Sequence, residues 1–447
     1  MKHIMIAILL LSFGLLAAEI TYWPTTSIAE DFGATWCGGC PFAWEGLQVL
    51  HGYTHNGELI SAKLYTESAE LSSPEIQQRF DYYEVIGIPA VIFNGKIRID
   101  GSGDGIADGS LYGAALNQFR YTSSPIKMNI GSFSATGGTL SGTIEMVSPT
   151  ESISNANIVY YLLENSVGSE THVVRSVLYD NNFALSGAGN THNYNKTFAL
   201  NTAWNTANLW AIAAVQLENK AIVQSVSTLP LPANNLRAAM NWNPWMEGPA
   251  NYSHNSQTFW LYNFGAPDNY TTHIAVDYAP ADWYFNYCDE EGNCYPGHLE
   301  TPVSLGTGDT KDFHLNIWIG SPGYAYFRFV ISSPNLGEYS IPFHYQVEGT
   351  SVSDPTLSPA AFRISGLYPN PVSKAAVFTV LSGKNTPEAT IDVFNLKGQK
   401  VQCLDAKNLQ GGENMISFTP ESTLPNGIYF YRLQGSSAKA GKFILVK

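Results

Sequence analysis

Basic residues are scarce: 23 Lys and Arg face 37 Asp and Glu in 447 residues, for a net charge of −14. No basic cluster gathers that could release counterions from a phosphate backbone, so no nucleic-acid partner is expected. Charge of either sign is thin as well, at 13%. The ten histidines are scattered with no pair at metal-ligand spacing, and neither Gly-x-Ser-x-Gly nor a phosphate loop occurs, which removes support for hydrolase chemistry and for a metal site. Beyond the N-terminus no apolar run approaches about 18 residues, so the mature chain is expected to lack a transmembrane segment. Cysteines number only five.

Aromatic residues, by contrast, make up 13% of the chain, and 39 Gly and 24 Pro accompany them, a mixture suited to strands and tight turns. The length exceeds what one core supports and predicts three or four domains. Residues 1–18 carry Lys2 and His3, then the apolar run Ile4 to Leu16, then Ala17-Ala18. This is a signal-peptide pattern, with Glu19 expected first after maturation. No cysteine stands near that point to carry a lipid.

From Ile28 to Thr35 the pattern predicts a strand, from Pro41 to Leu50 a helix, from Leu59 to Tyr65 a strand, and from Ser73 to Tyr83 a polar helix. Ala90 to Phe93 and Lys96 to Ile99 read as strands joined by the turn Asn94-Gly95, and Leu111 to Phe119 as a closing helix. The order β-α-β-α-β-β-α defines an expected α/β domain over 19–124. Alternating runs separated by Gly, Asn and Ser turns predict a β-sandwich over 125–235 and a second, Ig-like sandwich over 236–350. A Ser-, Pro- and Thr-rich linker over 351–363 and a small β domain over 364–447 complete the chain. The expected fold class is thus multi-domain, an N-terminal α/β domain followed by all-β sandwich domains.

The cysteines read as two pairs, Cys37 with Cys40 and Cys288 with Cys294, leaving Cys403 unpaired. Cys288 and Cys294 bracket a turn sequence and read as a structural disulfide. Cys37 stands where a helix N-terminus stabilises a thiolate, and Cys40, one turn on, can resolve a mixed disulfide. Zinc is not expected, because a structural site needs four ligands and no second CxxC or HxxxH is present. Asp100-Gly-Ser-Gly-Asp104-Gly-Ile-Ala-Asp108 has calcium-loop spacing but Leu111 at the twelfth position, and reads as a Gly-rich loop. Trp242, Trp245, Trp260 and Tyr262 read as core or cross-strand aromatics, with a sugar-stacking surface as the alternative.

Asp31-Phe32-Gly33-Ala34-Thr35-Trp36-Cys37-Gly38-Gly39-Cys40 resembles the thioredoxin superfamily, and Gly87-Ile88-Pro89 before a strand resembles that family's cis-proline loop. The resemblance implies a thioredoxin-like N-terminal domain with Cys37 as nucleophile, Cys40 as resolving thiol, Asp31 as buried proton acceptor and Pro89 as substrate-side loop residue. It also implies that Trp36 and Ile88 meet the substrate and that the redox-active disulfide Cys37–Cys40 serves without any cofactor. Pro41 departs from the basic residue common in the family. A redox-inert pair in a domain kept for binding stays open.

Leu367-Tyr368-Pro369-Asn370-Pro371, Ile391 to Gly398, Asn426-Gly427-Ile428-Tyr429-Phe430-Tyr431 and Gly441 to Lys447 resemble the C-terminal sorting domain of type IX secretion. That implies the type IX machinery as partner, passage through the outer membrane, and an extracellular or cell-surface destination. The stretches Thr171 to Leu178 and Lys220 to Ser225 faintly resemble sandwiches of outer-membrane-associated proteins with thioredoxin-like domains. Two functions follow: a secreted thiol-disulfide oxidoreductase acting on protein thiols or disulfides, or a non-enzymatic surface adhesion or assembly protein.

Overall fold

A computed structural model describes residues 22–54, 57–66, 71–101, 110–347 and, in the tail, 362–368, 372, 374–382, 386–395, 399–409, 412–434 and 441–445. The signal-peptide pattern, most of the calcium-like loop including Asp104 and Asp108, and nearly all of the linker fall outside these residues. The described chain is mostly β, and no helix in it is long and apolar enough to cross a membrane.

After a two-residue strand β1 (Trp23–Pro24), the first half runs β2 (Ser27–Gly33), α1 (Cys40–Tyr53), β3 (Leu59–Tyr65), α2 (Pro74–Tyr82), β4 (Ala90–Phe93), β5 (Ile97–Asp100) and α3 (Ser110–Asn117). The predicted elements are present within a few residues of their expected ends. The Asn94-Gly95 turn forms with φ of 46° and 67°, as a type I′ hairpin requires. β2 lies parallel to β3 and antiparallel to β4. Every residue of β2 is buried, and alternation sends its side chains to two helix-covered faces. Ala29 packs with Ala43, Leu47 and Tyr112 of α1 and α3, whereas Ile28 and Phe32 pack with Ile76 and Phe80 of α2.

The sheet does not end there. After β6 (Ser123–Ser124) come β7 (Ile126–Ser134), β8 (Thr139–Met146), β9 (Ser152–Glu164), β10 (Val173–Ser186), β11 (Thr191–Thr197), β12 (Leu209–Gln216) and β13 (Ile222–Ser227). β10 lies parallel to β3 with Val173 beside Lys63, giving one eight-stranded sheet in the order β13-β12-β9-β10-β3-β2-β4-β5. Backbone pairing therefore joins segments on either side of the division expected at 124/125. A parallel partner more than a hundred residues away leaves no local periodicity to read. One face of β9, β10 and β12 shares the α2 core through Tyr161, Val177 and Ile212; the other packs on β7, β8 and β11 as a sandwich.

The sheet curls until its far hairpin touches the first strands. Ile222 N donates to the Asn94 carbonyl at 2.8 Å, and Gln224 Oε1 accepts from Thr26 N at 2.8 Å. A Cβ on Gly95 would lie 1.9 Å from the Lys220 carbonyl oxygen, so this contact admits no side chain there. Under the curl sits a buried ion pair. Arg79 Nε and Nη2 donate to Glu30 at 2.6 and 2.9 Å, while Nη1 donates to Gln216 at 2.6 Å. The hydroxyls of Tyr83 and Tyr161 donate to the same carboxylate at 2.8 Å.

Residues 236–347 form two further sheets of six and five strands around Phe259, Phe313, Phe327, Phe329 and Phe343. Of the four aromatics singled out in the sequence, Tyr262 is buried and Trp242 stacks on core Phe343, whereas Trp245 stacks on the partly exposed ring of His344. Cys288 and Cys294 are cross-strand partners joined by a disulfide. The tail pairs its described strands into sheets of three and four around Phe378, Phe418 and Phe443.

Removing one member of a buried ion pair leaves the other uncompensated, a loss of about 3–5 kcal/mol. Glu30→Ala is accordingly expected to lower stability by about that much in urea denaturation, because Arg79 would be stranded between the helix and the two ends of the sheet. A change below about 1 kcal/mol would remove the pair from any central role.

Candidate functional site

The turn after β2 delivers Cys37 to the N-terminus of α1. Cys37 N donates to the Ala34 carbonyl at 3.2 Å, and Cys40 N lies 3.1 Å from Cys37 Sγ. Pro41 occupies the first turn, where its missing N–H costs nothing, and Gly39 caps the helix without a side chain. The two cysteines form a disulfide with Cα atoms 5.5 Å apart. Cys37 is half-buried, Cys40 is 5% exposed and Trp36 is 66% exposed, so the accessible sulfur of the pair belongs to Cys37.

A Cβ placed on Gly33 would lie 3.3 Å from Cys40 Sγ. Asp31, two residues earlier on β2, points to the same face of the sheet. Its carboxyl is 1% exposed and its Oδ1 has no hydrogen-bond partner. Burial pushes its pKa up from 3.8 to about 7, with Lys63 drawing it down and Glu170 raising it. The Ile88–Pro89 peptide is cis. Extending the pairing of Phe32 with Ala90 by one residue sets Pro89 across from Gly33. Pro89 is buried and its carbonyl accepts from Gly101 N at 2.7 Å, while Ile88 packs in part against the α2 core.

The sequence reading missed the charges around Asp31. Lys63 is its register partner on β3, is nearly buried, and forms an ion pair with Glu170 from the β9–β10 loop. The ammonium also lies 4.7 Å from the Trp44 ring centroid on α1. Burial pushes the Glu170 carboxyl upward, but hydrogen bonds from Lys63 and Tyr65 outweigh it and hold the group below its ordinary value. A lysine inside the otherwise apolar run Leu-Ile-Ser-Ala-Lys-Leu-Tyr was a legible signal; Glu170 had none, since its role depends on the β3–β10 pairing. No group of three metal-ligating side chains occurs among the described residues.

Residues 366–447 match the family model described as the secretion system C-terminal sorting domain. The chain is accordingly a cargo of the type IX secretion machinery, exported to the extracellular space or cell surface. No curated protein matches it. Among solved structures, dimeric latent PorU from Porphyromonas gingivalis is 13% identical over 72% of this chain, with a TM-score of 0.21, and this chain spans only 34% of it. A tetra-tandem repeat from the extending region of a large adhesion protein is 10% identical, covering 72% of this chain and 74% of its own, with a TM-score of 0.16. The BSP domain of a biofilm associated protein is 10% identical, covering 73% and 82%, with a TM-score of 0.18. Likenesses at these scores carry no argument about fold or activity.

A carboxyl whose folded pKa exceeds its unfolded value makes folding less favourable as it ionises, because the unfolded chain binds fewer protons between the two values. The contribution of Asp31 to stability is therefore highest below pH 4 and falls until about pH 7, by roughly 4 kcal/mol for a shift of this size. Asp31→Asn is expected to melt near wild type at pH 4 and progressively above it toward pH 8. Parallel melting curves for the two proteins across that range would contradict the assignment.

Proposed function

We propose that the chain is an exported thiol-disulfide oxidoreductase acting on protein cysteines, with β2 to β5 and the three helices serving as a thioredoxin-like unit. The observation that carries this reading is the sheet face shared by Cys40 and a buried carboxyl that titrates near neutrality. In the reduced pair, the Cys37 thiolate attacks one sulfur of a substrate disulfide, forming a mixed disulfide and releasing the other substrate sulfur as a thiolate. Cys40 then gives its proton to the Asp31 carboxylate and attacks Cys37 Sγ. The Cys37–Cys40 bond forms, the bond to the substrate breaks, and the second substrate thiolate leaves. The substrate disulfide has gained two electrons and the enzyme pair has lost two. Run backwards from the disulfide, the same steps oxidise a substrate dithiol, and the partner's reduction potential sets the direction.

A neutral Asp31 cannot accept a proton, so resolution is expected to slow below about pH 7. Trp36 and Ile88 supply apolar surface for the substrate chain, and Pro89 terminates the strand beside the pair. The second reading is a redox-inert unit within a surface adhesion or assembly protein. Its support is the continuity of the site's own sheet with a β-sandwich, which suits a rigid scaffold.

The two readings part on Cys40→Ala, expressed with its sorting domain in the native envelope and analysed on non-reducing gels. Exchange chemistry is expected to give discrete mixed disulfides on Cys37 that vanish in the Cys37→Ser, Cys40→Ala double variant. An unreactive Cys37 that captures nothing would favour the scaffold.

A further inference from the structure

Where the α/β strands meet both sandwiches, the fold forms a half-open cavity of about 970 Å³, within the size range of small-molecule sites. Its lining contains no Asp, Glu or Lys among the described residues and a single Arg, Arg237, from the strand Leu236–Ala239. Arg237 is 4% exposed. Its Nη1 donates to Thr26 Oγ1 at 2.9 Å and Nη2 to the Thr25 carbonyl, while Nε has no partner. All of these acceptors are neutral.

The carboxylate that acts on Arg237 is Glu58, and it is already engaged. Glu58 accepts from Arg120 Nε at 2.7 Å and from the Tyr339 hydroxyl at 3.0 Å. Two guanidinium groups thus share one carboxylate, which leaves one positive charge in excess at the buried Arg237. Such a charge is costly to keep out of water unless an anion meets it. The imidazoles on the same wall do not add to it: burial draws both His51 and His172 below their ordinary pKa, His51 to about 4. The remaining wall mixes apolar residues, Trp23, Phe264, Leu229 and Leu231 among them, with neutral polar ones such as Asn129, Gln224 and Ser225.

We propose that this cavity binds a small organic monoanion, a carboxylate with an apolar body, whose charge is met by the Arg237 guanidinium. One uncompensated positive charge selects a monoanion, since a dianionic phosphate would leave net negative charge buried close to Glu58. The apolar part of the wall, Trp23, Phe264, Leu229 and Leu231, selects the body, and a free inorganic anion would leave it uncovered. The site is separate from the Cys37–Cys40 pair and does not depend on its chemistry.

The test uses the chain from Glu19 onward with octanoate, octanol and inorganic phosphate as probes, followed by calorimetry and tryptophan fluorescence. Octanoate is expected to bind saturably at one site, with octanol and phosphate each at least tenfold weaker. Arg237→Met, which keeps the length of the side chain, is expected to weaken octanoate at least tenfold without affecting octanol. Leu231→Trp, at an exposed part of the wall, is expected to weaken octanoate while leaving Arg237 in place. Absence of saturable octanoate binding, equal affinity for octanol, or phosphate as tight as octanoate would overturn the proposal, as would unchanged binding in Arg237→Met. Should Arg237→Met not fold, the octanoate-to-octanol ratio in the wild-type chain decides alone.

Discussion

The parallel pairing of β3 with β10, where Lys63 N donates to the His172 carbonyl at 2.9 Å, is the contact on which the arrangement of the first half rests. It turns a four-stranded α/β sheet and a sandwich sheet into one surface, so the α2 core extends over one face of the sandwich strands β9, β10 and β12. The same pairing carries the β9–β10 loop to the edge of the cysteine site and sets Glu170 on Lys63. Parallel strands need long crossover connections, and their closure entropy must be recovered by burial on both faces. Here α2 and the strands β7, β8 and β11 supply that burial.

Two adjacent carboxylates on β2 show how the sheet separates structural from reactive charge. Glu30 and Asp31 are both buried, yet alternation sends them to opposite faces. Glu30 meets a fork of guanidinium hydrogen bonds and two tyrosine hydroxyls, which is the full satisfaction a buried charge demands. Asp31 keeps an oxygen without a partner and responds with a raised pKa. Burial with compensation yields a fixed joint, whereas burial without it yields a group able to exchange a proton near neutral pH. Arg237 poses the cationic version of the same question, and there the adjoining cavity leaves room for an answer from outside the chain.

Polar groups at these junctions find partners across long separations in sequence. Glu58 illustrates this, joining the start of β3 to Arg120 near the end of the α/β segment and to Tyr339 in the second pair of sheets. Tyr121 does likewise, lying in the later sandwich core while its hydroxyl donates to the Ser340 carbonyl at 2.7 Å. The cysteine-bearing segment is therefore held by joints that no single segment contains.

What the amino-acid sequence determined by itself was local in its physics. Alternation of apolar residues marked the strands, the Ser73-Pro74 start and Asn94-Gly95 turn carried their own backbone preferences, and two cysteines at helix-turn spacing marked a disulfide. The ordered motifs of the tail identified its export route. Tertiary structure alone decided that β3 would find β10, that Arg79 would be neutralised by Glu30, that Glu170 would reach Lys63, and that Arg237 would face a cavity while Glu58, the carboxylate that acts on it, is engaged by Arg120. Those outcomes join residues from about fifty to more than two hundred positions apart. They follow from which faces must be buried together and which charges that burial strands, quantities that exist only once the sheet has closed.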